Sequence, residues 1–242
     1  MKTHRLPPLA ALALAAFLAA GCSEAAERED APPAKEKEKV AEAKKVLVGR
    51  NVHLEVQGKE RRVLVSGAIC LREGQLEQFL TRKGTKEHEA VVAADVDARD
   101  IHKALLLAGA EPGKPVQFRP AYKPASGQPI RVAVRYRDKG KLVTVPARSW
   151  VKNGKTGKDL DTDWVFAGSQ LVDNPLDPGK KIYLANDGDV VCVSNFETAL
   201  LDLPIKSPKD NADLVYVAHT SRIPPPETKV VVVLEPLPAA KK

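Results

Sequence analysis

The chain is short of the residues that most often carry chemistry. Aromatics make up 5% of its 242 residues, and it has three cysteines, two tryptophans and one methionine. Three cysteines exclude a four-cysteine iron–sulfur or zinc site, and no C-x-x-C pair is present to act as a dithiol centre. Scarce aromatics leave no platform for stacking bases, which argues against nucleic acid. The formal charge of +7, which falls by two if Lys2 and Arg5 are removed with a signal, then points to solubility or to attraction by anionic lipid or glycan surfaces. No G-x-S-x-G nucleophile elbow and no phosphate-cradling glycine motif occurs. No apolar run reaches the roughly 20 residues that a membrane-spanning helix needs.

What is present begins with an export signal. Lys2, His4 and Arg5 form a basic head, Leu9 to Ala20 an apolar core, and Leu18-Ala19-Ala20-Gly21 a small-residue exit before Cys22. Such a head, core and exit make a secretory signal. The Gly-Cys ending resembles the lipobox of bacterial lipoproteins, although Ala19 stands where leucine is usual. That resemblance implies removal of residues 1–21 and acylation of Cys22, which would hold the chain to a membrane of the cell envelope. The alternative is ordinary cleavage, for instance after Ala26, with Cys22 discarded. Residues 22–45 are rich in Glu, Lys and Ala, carry Pro32-Pro33 and the run Lys35-Glu-Lys-Glu-Lys39, and lack aromatics. They cannot bury enough surface to offset ordering entropy, and read as a hydrated, disordered tether.

The remaining stretch, 46–242, has the length of one domain, and no second linker divides it. Val52, Leu54 and Val56 alternate, Gly58-Lys59 turns the chain, and 61–71 returns as a strand. Leu76, Phe79 and Leu80 share a helical face, so 75–83 reads as a helix closed by Gly84. A strand follows over 88–96. The clearest helix starts at Asp97, carries Ile101, Ala104, Leu105 and Ala108 on one face, and ends at Gly109 before Pro112-Gly113. Ile130, Val132, Val134 and Tyr136 alternate with basic residues. They form a hairpin with 142–145 through Asp138-Lys139-Gly140. Strands are expected at 164–167, 182–185, 190–194, 214–219 and 229–234, with Asn186-Asp187-Gly188-Asp189 turning between two of them. A short helix fits 196–201. The predicted class is α+β, a single domain of mainly antiparallel sheet with two or three short helices.

Candidate chemistry is sparse. Lys86-Glu87-His88-Glu89 sets a histidine between Glu87 and Glu89, a pattern suited to holding a divalent metal or to acting as a base. On a regular strand His88 points away from both carboxylates, and a charged strand entrance explains the residues equally. His102 flanks the apolar stripe of its helix. Asp159, Asp161 and Asp163 alternate as calcium ligands can, yet the glycine and distal glutamate of an EF-hand are missing, and solvated loop carboxylates are the simpler reading. Asp187 and Asp189 read as turn residues. Trp150 and Trp164 suit either the wall of a cleft for sugars or peptides or core packing. Cys70 and Cys192 sit in apolar sequence and fit a disulfide or two buried thiols equally.

Four segments together resemble one family. Ala68-Ile69-Cys70-Leu71-Arg72-Glu73-Gly74, Gly84-Thr-Lys-Glu-His-Glu89, Asp161-Thr-Asp-Trp-Val-Phe-Ala-Gly168 and Val191-Cys-Val-Ser-Asn-Phe196 are similar to the YdjY-domain family of bacterial envelope proteins, from about Val63 to Glu235. The resemblance implies one domain and an envelope location, with no reaction and no catalytic residues to transfer. The leading expectation is an exported, lipid-anchored, non-enzymatic binding domain. It meets the membrane through Cys22 and an envelope ligand or protein through its fold, and needs no cofactor. The rival is a metal-assisted hydrolase built on His88 with Glu87 or Glu89, and with Asp161 and Asp163. A thiol–disulfide role for Cys70 and Cys192 is the third.

Overall fold

The computed structural model describes residues 42–208 and 215–238. The signal, Cys22 and the tether as far as residue 41 lie outside the described residues. The last tether positions, Lys44 and Lys45, already belong to a strand.

Eleven strands share one sheet. They are β1 (Lys44–Gly49), β2 (Val52–Gln57), β3 (Glu60–Ile69), β4 (Gln78–Arg82) and β5 (Ala90–Ala94). After the helix α1 (Ala98–Leu107) come β6 (Pro129–Asp138), β7 (Lys141–Pro146), β8 (Trp164–Phe166), β9 (Val191–Cys192), β10 (Leu201–Asp202) and β11 (Lys229–Pro236). Eight of them close into a barrel in the order β3, β11, β6, β8, β10, β9, β4, β5 and back to β3. Neighbours are antiparallel except for two parallel pairs, β9 with β10 and β4 with β5.

This corrects the expected α+β class. The described residues are mainly β, with one α-helix and a closed barrel. The error has a physical source in β4, which replaces the helix expected over 75–83. Leu76, Phe79 and Leu80 are buried as their spacing implied, but Gln78 and Thr81 are buried as well. A strand covered on both faces loses its alternation and can imitate a helical period. Residues 196–201 likewise form turns and the start of β10 instead of a helix. The hairpin expected around Gly188 does not form either. Lys181–Tyr183 pairs with Leu171–Asp173, whereas β9 pairs with β4 and β10.

Other local expectations hold. Asp97 caps α1 by accepting from the Arg99 N–H at 2.9 Å, and Ile101, Ala104 and Leu105 are buried. The β2–β3 and β6–β7 hairpins form. Most buried apolar residues make one core in which Phe79 lies 6.3 Å from Trp150 and 6.0 Å from Trp164, ring centre to ring centre, and two small clusters stand apart from it. An eight-stranded barrel is just wide enough to be filled by side chains or to hold one small ligand, and here buried apolar side chains pack it as a core.

Two long strands fork, and one fork makes a cleft. Over Glu60–Val65 β3 pairs with β2, and at Ala68–Ile69 the same edge pairs with β5. Ser66 and Gly67 bridge the gap. A Cβ on Gly67 would come within 2.6 Å of the Ala93 carbonyl oxygen, so the two strands approach this closely only because a glycine stands there.

Candidate functional site

Two groups of charged residues meet at the short 3-10 turn Glu87–Glu89 between β4 and β5. The first is a largely buried ion cluster. Lys86 Nζ lies 3.0 Å from Asp189 Oδ1, 3.6 Å from Glu77 Oε2 and 3.9 Å from Glu89 Oε1, and 4.1 Å over the ring of Phe196. Gln78 Nε2 donates to Asp189 Oδ1 at 3.1 Å, and the Thr198 hydroxyl donates to Asp189 Oδ2. Register explains the gathering. Gln78 pairs with Ala90 on one side and Cys192 on the other, which brings the ends of β4, β5 and β9 together. Gly188 lets Asp189 enter, since a Cβ there would press on Thr81, Thr85 and Lys86.

Electrostatics follow from three carboxylates around one ammonium. Burial, and then the hydrogen bond and charge of Glu89, push the Glu77 carboxyl up to about 7. Burial alone would lower the Lys86 ammonium, but Asp189 and Glu77 beside it leave it raised. Further along the same barrel end, burial lifts Asp202 to about 7 although Asn195 Nδ2 and the N–H groups of Leu203 and Phe196 donate to it.

The second group lines an open cleft of about 340 Å3 at the β3 fork. Its walls include Ser66, Gly67, Cys70, Lys83, Glu87, Glu227 and Lys229. Glu87 accepts from the Gly84 N–H at 2.7 Å. Among the described residues, Lys83, Lys229 and Glu227 make no side-chain ion pair or hydrogen bond. Glu227 has a left-handed backbone, φ +66°, uncommon for a non-glycine residue. A second depression of about 570 Å3 shares Ser66, Gly67 and Lys229 with this cleft and runs to Arg135, Arg137 and the exposed Leu142.

The candidates read from sequence are dispersed. The His88 side chain is 77% exposed, with Nε2 3.8 Å from Glu89 Oε2, while Glu87 faces the cleft and Glu89 the ion cluster. Asp163 pairs with Arg148 Nε at 3.3 Å, Asp161 accepts from the Thr162 hydroxyl, and Asp159 pairs with Arg222. Among the described residues no group of three or more His, Cys, Asp or Glu is placed to hold a metal ion. Trp150 and Trp164 are core residues, and Trp164 Nε1 donates to the Cys192 carbonyl at 2.7 Å.

Cys70 and Cys192 are free thiols. The Cys70 backbone bonds to Val91 on β5, and Cys192 pairs with Gln78 on β4, so β5 and β4 stand between them. Three inter-strand steps of about 4.8 Å separate the two positions, far beyond the Cα spacing of about 6 Å that a disulfide allows. Strand order therefore removes the bridge, and with it the dithiol reading.

Sequence reasoning missed Glu77, Lys86, Asp189 and Asp202. Asp189 read as a turn residue and is instead 4% exposed. The available signal was a pair of polar residues at the end of an otherwise apolar strand, as in Glu77-Gln78 and Ser194-Asn195. His102, expected as a flank residue, meets Tyr183 through Nδ1 at 2.8 Å while the Tyr183 hydroxyl donates to the Gly168 carbonyl, beside a groove lined by Arg99, Lys103 and Leu171.

No protein of curated function and no solved structure matches the chain. The YdjY domain matches residues 51–235, from the turn that precedes β2 into β11, and so spans the whole barrel and both charge groups. The chain belongs to the YdjY-domain family.

Proposed function

We propose that this chain is an exported, lipid-anchored binding module of the cell envelope, whose ligand enters the cleft at the β3 fork. The carrying observation is the contrast between a filled barrel interior and a cleft of about 340 Å3 holding unpaired charge of both signs. Lys83 and Lys229 suit a carboxylate, and Glu227 suits an ammonium. The ligand class is accordingly zwitterionic: a short peptide or an amino-acid-bearing glycan fragment. Support for the anchor is the Leu18–Cys22 segment and the charged tether behind it.

The test is calorimetric titration of the purified protein with di- and tripeptides, free and with either terminus blocked. Binding of free peptides, weakened by blocking either end and abolished in the Lys83→Ser/Lys229→Ser double variant, is the expected result. No heat with any peptide at millimolar concentration sinks the reading. For the anchor, Cys22→Ser should move the chain from the membrane to the soluble fraction, and a soluble wild-type chain would reject it.

A further inference from the structure

The ion cluster is more crowded than a structural salt bridge requires. Asp189 and Glu77 are nearly sealed from solvent, and Lys86 reaches them along the face of Phe196. Both oxygens of Asp189 already hold neutral donors, Gln78 Nε2 on Oδ1 and the Thr198 hydroxyl on Oδ2. A carboxylate so supplied does not need an ammonium at 3.0 Å as well. Glu77, 3.6 Å from that nitrogen and raised by burial and by Glu89, is the carboxyl placed to hold a proton beside it. Amine, carboxyl and acid in fixed contact, with both carboxyl groups withdrawn from water, are the components of amide formation.

We propose that Lys86 and Asp189 join in an intramolecular isopeptide bond, with Glu77 as the proton relay. Lys86 Nζ attacks Asp189 Cγ, the N–C bond forms, and one Cγ–O bond breaks. The departing oxygen leaves as water. The ammonium and carboxylate together contain every atom of the amide and the water, so no oxidant, nucleotide or cofactor enters. Glu77, whose Oε2 is 3.6 Å from Nζ, takes one proton from the ammonium to free the attacking lone pair and a second from the nitrogen once it is bonded to Cγ, and passes both to the leaving oxygen, which departs as water. Gln78 Nε2 stabilises the negative charge that builds on Oδ1, and the Thr198 hydroxyl holds Oδ2 as it leaves. Fixed contact supplies the effective concentration that free lysine and aspartate lack. The raised carboxyl of Glu77 is consistent with its holding the relayed proton. This proposal is independent of what the cleft binds.

The experiment is peptide mapping of the purified full chain, denatured and digested with a protease that cuts after lysine and arginine. The expected product is a branched peptide joining residues 84–99 to 182–206, uncut after Lys86 and lighter than its two parts by one water. Its fragment ions place the linkage at Lys86 and Asp189. Lys86→Arg, which keeps the charge, and Asp189→Ala, which removes the carbon under attack, should yield no such peptide. Glu77→Gln should form it about 100-fold more slowly after refolding. Two separate linear peptides from the wild-type chain, or a loss of water that maps elsewhere, overturn the proposal. An undiminished rate in folded Glu77→Gln overturns it as stated, because the relay would then lie elsewhere.

Discussion

The two sides of the Glu87–Glu89 turn use the same residue types in opposite ways. On the buried side, Lys86 is surrounded by Asp189, Glu77 and Glu89 at 3.0–3.9 Å, and donors occupy both oxygens of Asp189. On the open side, Lys83, Lys229 and Glu227 line the cleft without partners among the described residues. The difference is solvent. A charge withdrawn from water must find a counter-charge or a hydrogen bond, because bare burial costs several kcal/mol. A charge left in water can stay unpaired at little cost, and only such a charge is available to a ligand. Burial therefore separates the residues that hold the barrel together from those that can recognise something.

The strongest way to break this comparison is to remove the buried cation. Lys86→Met strands Asp189 beside two other carboxylates, and loss of one partner from a buried ion pair costs about 3–5 kcal/mol. Urea unfolding should show a loss of that size, and a loss below about 1 kcal/mol would mean that water reaches the cluster freely. Next comes pH. Glu77 is raised from 4.5 to about 7, and Asp202 from 3.8 to about 7. Across that window the folded chain holds protons that the unfolded chain has released, so stability falls as pH rises. Each proton contributes at most about 1.4 kcal/mol per pH unit. Glu77→Gln should reduce the slope between pH 5 and 7 and leave the Asp202 part, as read from unfolding midpoints at each pH.

A smaller effect separates the two thiols. Burial, and then Glu87, push Cys70 up to about 12, but it borders the cleft; Cys192 is fully buried and pushed well above its ordinary value. In Cys22→Ser protein, a maleimide should label Cys70 more slowly than free cysteine, and Cys192 only as the chain unfolds. Equal rates would show that the barrel end is open.

Much of the local structure was legible in the sequence because its causes are local. The Asp97 cap and apolar stripe specify α1, and the alternation of Val132 and Val134 with arginines specifies the β6–β7 hairpin. What failed depends on contacts distant in sequence. β4 reads as a helix until β5 and β9 cover its edges, and Asp189 reads as a turn residue until Lys86 arrives from a loop more distant in the chain. Glu87-His88-Glu89 drew attention to the right turn for the wrong reason. Its chemistry was assigned to the exposed histidine, whereas the flanking glutamates divide between cluster and cleft and Lys86 carries the contacts. Barrel closure rests on β3 pairing with three strands, which no single-strand pattern encodes.

The smallest effect is also the most discriminating. If cleft charges are reserved for a ligand, their removal should leave the fold nearly untouched. The Lys83→Ser/Lys229→Ser variant deletes two cations that make no ion pair among the described residues, so its stability should match wild type within about 0.5 kcal/mol. Lys229 begins β11, where it pairs with Ala68 through the backbone, and serine preserves that pairing. Urea midpoints for the variant and wild type should coincide. A drop of about 2 kcal/mol or more would show that these lysines already serve the fold, most simply by offsetting Glu87, Asp95 and Glu227 across the cleft. The charge would then be structural on both sides of the turn, and the β3 fork would lose its claim to be a binding site.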